Sequence, residues 1–317
     1  MPNLFSEIAL GRVVLPNRIA VAPMCQYSAD DGSATDWHLQ HLMQLAFSGA
    51  GLVTVEATAV ERPGRITHSC LGLYSDSNER ALNRVMDAAR AVATPGSKFA
   101  IQLAHAGRKA SQRVPWEGGG SLSEEQEPWP TIGPSALSHG PGWATARALT
   151  LAEIERIRDS FVQAAIRSAR IGFEVIELHF AHGYLLHQFL SPLSNQREDR
   201  YGGDAEGRER LAVEILTAIR AALPETVAVG ARISGSDWAE GGLDETDAAR
   251  LAEKLGYEGA AFVCVTTGGL VSHQKINAGP GFQVPHASHV KRMAHVPTRA
   301  VGMLSLIHIS EPTRPRL

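Results

Sequence analysis

Seven short apolar runs alternate with longer amphipathic stretches along this chain. The runs are RIAVAPM (18–24), GLVTVEA (51–57), KFAIQLA (98–104), FEVIELH (173–179), VAVGARIS (227–234), AAFVCVT (260–266) and TRAVGML (298–304). They are nearly continuous in apolar residues, as strands of a parallel sheet covered on both faces are. Helical patterns separate them, over 36–50, 77–92, 150–172, 205–223 and 244–257. The first opens at a candidate cap, Asp36. The second opens at Ser77 or Asn78, with Glu79 in its first turn. In the third, Thr150 and Glu153 have capping-box spacing and Gly172 lies near the end. Repeated β–α units at this spacing predict an α/β fold of the (β/α)8 TIM-barrel class rather than a doubly wound sheet. The first β–α junction carries no GxGxxG, which weakens a dinucleotide-binding reading. EIALGRVVLPNRI predicts a small hairpin closing the bottom of the barrel. Residues 108–148, rich in Gly, Pro, Trp and Ser, have no period and predict a cap loop.

Composition narrows the class. The chain of 317 residues is 44 % apolar and 20 % charged, as soluble globular enzymes are. A net charge of -3, with no basic cluster interleaved with aromatics, points away from nucleic acid. Cys25, Cys70 and Cys264 are far apart, which suits a reducing compartment and is too few for an iron–sulfur cluster. The N-terminus has no secretory h-region, and no apolar run approaches the roughly 20 residues of a membrane span. The expectation is a cytoplasmic protein with no membrane or nucleic-acid partner.

Barrel chemistry sits where the strands end. Those ends carry Pro23, Met24 and Cys25, with Tyr27 beyond; Glu56 and Ala57; Gln102 and His105; His179, followed by His182 and Tyr184; Arg232; and Thr266, Thr267, Gly268 and Gly269. Two readings fit. His179 and His182 can be two zinc ligands, with His105 or Glu177 as a third. Alternatively, two imidazole N–H groups aimed at one carbonyl oxygen stabilise charge developing there, and a nearby phenol protonates the adjacent carbon. The second reading suits reduction of a carbonyl-activated double bond. Its hydride must come from a cofactor, because no side chain supplies one. Arg232 and Gln102 would then hold an electron-rich ring edge of that cofactor.

The segments LPNRIAVAPMCQYSADDG, TDWHLQHLMQLAFSGAGLVTVEATAV, RITHSCLGLYSD, IQLAHAGRKAS, GFEVIELHFAHGYLLHQFLSPLSNQREDRYGG and GPGFQVPHASHVKR carry a resemblance. The chain resembles the old yellow enzyme family of FMN-dependent ene-reductases. PMCQYS makes it most similar to the smaller thermophilic-like bacterial branch. The resemblance implies bound FMN, with NADPH or NADH as hydride donor in a ping-pong cycle. It implies Pro23 and Met24 against the flavin, Cys25 near its reactive edge, Ala57 and Gln102 on its pyrimidine part and Arg232 at N1/O2. His179 and His182 would bind a substrate carbonyl, Tyr184 would protonate the α-carbon, and Tyr27 would line the substrate pocket. Substrates would be enones and related activated alkenes, and the assembly a homodimer or higher homo-oligomer.

The chain departs from the family at its C-terminus. After TRAVGML it reads SLIHISEPTRPRL, where the family continues with a helix, an eighth strand and a final helix. The expectation is therefore one FMN-binding barrel domain over 1–304 with its eighth β/α unit missing, and a non-family tail over 305–317. Strands 1 and 7 would keep unpaired edges, and much of the phosphate site would be lost. The runner-up reading is accordingly a catalytically impaired barrel that binds FMN weakly.

Overall fold

A computed structural model of the chain describes residues 4–304; the tail over 305–317 lies outside the described residues. Seven parallel strands form one sheet in chain order: β1 (Ala20–Val21), β2 (Leu52–Ala59), β3 (Lys98–Ala104), β4 (Val175–Phe180), β5 (Ala228–Ser234), β6 (Val263–Thr266) and β7 (Thr298–Ala300). The helices are α1 (Asp36–Ala46), α2 (Asp76–Ala91), α3 (Leu151–Ile171), α4 (Leu185–Leu190), α5 (Ala205–Ala222), α6 (Glu245–Tyr257) and α7 (Val284–Ala294). Among the described residues the sheet is open: β1 and β7 are its edges and do not pair with each other.

The apolar runs resolve into two faces of period two. Val53, Val55, Ile101, Leu103, Ile176, Leu178, Val229, Ala231, Val263 and Val265 point outward and join one cluster with helix residues such as Leu42, Leu82, Phe161 and Leu251. Leu52, Ala100, Val175, Ala228 and Phe262 join a second cluster with Leu10, Val13 and Leu15. Those last three come from an antiparallel hairpin, Ile8–Leu10 with Val13–Leu15, which plugs the bottom as its sequence predicts. Gly230 belongs to this packing: a Cβ there would lie 2.4 Å from the Phe262 ring.

Above the plug the inward face turns polar. Gln102 Nε2 donates to Glu177 Oε1 at 2.8 Å, between register partners on β3 and β4. The other Glu177 oxygen is paired with Arg299 of β7, whose guanidinium also lies 5.7 Å from the Phe262 ring centroid. Glu177 is fully buried, so its charge needs these partners.

Two caps differ from expectation. Thr35, not Asp36, is the N-cap of α1, and it exchanges backbone and side-chain contacts with His38. Ser75, not Ser77 or Asn78, caps α2, its side chain accepting from Asn78 N at 3.2 Å. Ser75 is the last extended residue before the helix, so only its oxygen faces the free N–H groups. Thr150 and Glu153 form the expected box, and Gly172 ends α3 at φ 93°. The 108–148 segment contains only short 3-10 turns and one two-residue strand pair, Ile132–Gly133 with Arg147–Ala148.

We expect Arg299→Met to destabilise the protein by about 3 kcal/mol, because it leaves Glu177 buried with one neutral partner. Urea unfolding measures this. A loss below about 0.5 kcal/mol, the scale of an exposed pair, would contradict the buried-pair account.

Candidate active site

The rim is built around the turn leaving β4. His179 ends the inward series Val175, Glu177, His179 and stands opposite Arg232 of β5 in the strand register. The chain then turns sharply. His182 takes φ 58° and Gly183 φ 70°, and Tyr184 is the extended N-cap of α4. A Cβ on Gly183 would lie 2.1 Å from the Gly269 carbonyl oxygen, and one on Gly269 would lie 2.7 Å from the His182 backbone. This glycine pair lets the loops after β4 and β6 touch.

That turn brings the three singled-out side chains together. His179 Nε2 and His182 Nδ1 are 3.2 Å apart, and His182 Nε2 is 2.9 Å from Thr266 Oγ1. The Tyr184 ring stands edge-on to His179 with centroids 5.1 Å apart. Burial, then the Arg232 charge, holds both imidazoles well below the ordinary histidine range. Burial also pushes the Tyr184 phenol well up, so it keeps its proton. The site therefore offers two neutral imidazoles and a protonated phenol.

The remaining candidates surround this trio unevenly. Ala57 and Gln102 are register partners because the β2–β3 ladder shifts between Val55 and Ala57, setting Glu56 out of line. Glu56 instead accepts from Gln26 N at 3.0 Å and approaches His38, tying the exit of β1 to β2. Cys25, Tyr27 and Tyr184 pack around one small apolar cluster that includes Ile66 and Cys70. Burial, then Glu56, pushes the Cys25 thiol well up, so it is no thiolate. Tyr27 has φ 49° and meets Trp116 of the cap segment edge-on at 5.6 Å. Pro23 and Met24 follow β1 on the same rim, and Met24 is 46 % exposed. His105 does not join them. Its Nε2 is 2.9 Å from Glu61 Oε1, its Nδ1 accepts from Gly107 N, and Arg156 pairs with the other Glu61 oxygen. It is no third ligand for His179 and His182. Glu177 is committed to Gln102 and Arg299. Among the described residues, no three His, Cys, Asp or Glu side chains converge as a metal site requires.

Sequence reasoning missed three supports. Lys109 Nζ donates to the His182 and Gly269 carbonyls, each at 2.9 Å, and sits 5.1 Å from the Tyr184 ring centroid. Burial, then Arg108, lowers its pKa to about 8. Arg108 donates to the Ser138 and Leu270 carbonyls, so this dipeptide pins the cap segment and two rim loops. His187 Nδ1 accepts from Gly183 N at 2.8 Å, while its Nε2 lies 2.8 Å from Asp237 Oδ1; both side chains are fully buried. The segments AGRKAS and YLLHQF contain these residues, but no local spacing says which loops they reach.

The folded protein refuses protons that the unfolded chain takes up below about pH 6.5 at His179 and His182. Stability from this pair is therefore full above that pH and falls as pH drops through it. We expect 15N-histidine NMR to show both rings neutral from pH 8 to pH 6. A titration of either near the ordinary value would contradict the burial account.

The chain is similar to known proteins in sequence and in fold. Residues 3–311 match the NADH:flavin oxidoreductase / NADH oxidase family, a match that runs past residue 304. NADH:flavin oxidoreductase FG08077 of Gibberella zeae is 42 % identical over 98 % of this chain and 78 % of its own length. The NADPH dehydrogenase of Listeria innocua is 41 % identical over 96 % of this chain and 85 % of its own. Among solved structures, morphinone reductase superposes with a TM-score of 0.78 at 28 % identity, covering 96 % of this chain and 80 % of that one. An old yellow enzyme homologue from Zymomonas mobilis gives 0.79 at 26 %, covering 96 % and 83 %. These TIM-barrel neighbours place the curled sheet in that fold class. The family implies FMN, with NAD(P)H as hydride donor. The residues present fit a flavin. Arg232 Nε is buried on the rim with no partner among the described residues. Gln102 has its amide nitrogen fixed by Glu177, leaving its oxygen as an acceptor. The chain belongs to the NADH:flavin oxidoreductase / NADH oxidase family, the old yellow enzyme family of flavin-dependent oxidoreductases.

Proposed function

We propose that this chain is an ene-reductase acting on α,β-unsaturated carbonyl compounds. The observation that carries the reading is the pair of neutral imidazoles, His179 and His182, standing beside protonated Tyr184 at the rim. FMN would supply the chemistry no side chain has, hydride transfer from NADPH or NADH to the β-carbon.

The chain's own residues do the rest. His179 and His182 hold the carbonyl oxygen by N–H donation and stabilise the negative charge that grows there. Tyr184 delivers its hydroxyl proton to the α-carbon, so one hydride and one proton complete the saturated product. Arg232 and Gln102 hold the ring edge, and the uncompensated Arg232 Nε favours electron density on it. Ala57, with the backbone at Pro23 and Met24, borders the ring. Cys25, as a neutral thiol, and Tyr27 line the pocket. A cytoplasmic setting and a homodimer or higher homo-oligomer belong to the same reading; no helix among the described residues is long and apolar enough to cross a membrane.

The test mixes dithionite-reduced holoenzyme with cyclohexenone, so that only the alkene step is read. Tyr184→Phe should slow that step by about 100-fold or more, and His179→Ala should weaken cyclohexenone binding as well as the rate. A Tyr184→Phe rate equal to wild type would remove the phenol from the mechanism. Wild-type enzyme that leaves cyclohexenone unreduced would sink the ene-reductase reading.

A further inference from the structure

The hydrogen bonds around the imidazoles fix where their protons are. His179 Nδ1 accepts from Ala181 N at 3.3 Å, so the His179 proton is on Nε2. That N–H faces His182 Nδ1 at 3.2 Å, so His182 Nδ1 must be bare. The His182 proton is then on Nε2, donated to Thr266 Oγ1 at 2.9 Å. The Thr266 hydroxyl donates a hydrogen bond to Gln283 Oε1 at 3.4 Å, and Gln283 is oriented by donating from Nε2 to Thr267 Oγ1 at 3.0 Å. Thr266, Thr267 and Gln283 are all buried. In this state only His179 has an N–H free to turn toward a ligand.

A carbonyl oxygen held by both imidazoles needs a different arrangement. His182 must carry its proton on Nδ1 and leave Nε2 bare. A buried bare nitrogen needs a donor, and Thr266 is the hydroxyl 2.9 Å away. A hydroxyl is both donor and acceptor, so it can serve either tautomer. Turning it away from Gln283 costs little, because a 3.4 Å contact is a weak bond.

We propose that Thr266 selects the tautomer of His182: it accepts from Nε2–H in the free protein and donates to bare Nε2 when a carbonyl oxygen binds, so that His182 presents Nδ1–H beside the Nε2–H of His179. The inference rests on the carbonyl-binding role proposed above. The exchange is proton-neutral: one proton leaves His182 Nε2 for solvent water and one arrives at Nδ1 from it, while Thr266 keeps its own proton and only turns it. Thr266 is a positioning residue, since it acts through His182. A side chain of the same shape without a hydroxyl would hold the loop and fail the exchange.

The test is 15N-histidine NMR on oxidised holoenzyme, free and with saturating cyclohexenone, together with the rate of cyclohexenone reduction by the reduced enzyme. In wild type we expect Nε2–H on both rings when free, and conversion of His182 alone to Nδ1–H when cyclohexenone binds. Thr266→Val should lose the conversion and slow the alkene step by about 100-fold, the usual loss of one donor to a developing oxyanion. Thr266→Ser should restore both. Wild-type enzyme that reduces cyclohexenone while His182 keeps Nε2–H overturns the inference. So does Thr266→Val that converts His182 and turns over at the wild-type rate, or wild-type protein with Nδ1–H on His182 when free. Wild-type enzyme that shows the expected free-state protons yet never reduces cyclohexenone strikes the enone reading instead.

Discussion

One buried carboxylate organises the interior of the sheet. Glu177 joins β4 to β3 through Gln102 and to β7, the far edge, through Arg299. Arg299 also lies 3.5 Å from Thr54 of β2. A charge taken fully out of water is tolerated only when it is paired and hydrogen-bonded, so the curl that brings these strands round is also what makes Glu177 acceptable. The apolar plug below and the reactive rim above are both set by this layer. It fixes the Gln102 amide and puts His179, two residues further along β4, at the rim beside Arg232.

The rim is held mostly by backbone acceptors. Arg108 and Lys109 spend their charge on four carbonyls, those of Ser138, Leu270, His182 and Gly269. Carbonyl dipoles hold the cations without neutralising them. At the imidazoles burial opposes protonation first, then the Arg232 charge, with Lys109 adding a smaller contribution. In the carbonyl-binding role proposed above, the same charges would favour negative charge growing on an oxygen placed between the rings. Lys109 thus closes two rim loops and adds to the effect of burial and Arg232 that keeps the histidines neutral.

The strands were legible because each apolar run is long enough to be one buried strand and too short to be a helix with periodicity. The histidine–tyrosine trio was legible because its members are close in sequence. His105, offered as a third ligand, lies one residue past the end of β3, where the chain turns its ring toward Glu61. Ser75 lies in a stretch, SDSN, with several possible caps, and only its extended backbone decides among them. Lys109 and the His187–Asp237 pair act across loops far apart in sequence, a relation no local pattern encodes. Thr266 was visible at the end of β6, but its partner His182 is 84 residues away.

A flavin held by this sheet, reduced by NADPH and reoxidised by an enone, would report both half-reactions in its visible absorption. The most direct measurement is the visible absorption spectrum of the purified protein after mixing with FMN and gel filtration, then with NADPH under anaerobic conditions, then with cyclohexenone. The expected result is a retained flavin band that bleaches with NADPH and returns with the enone. A colourless protein after gel filtration, or a band that NADPH leaves unbleached, would contradict it.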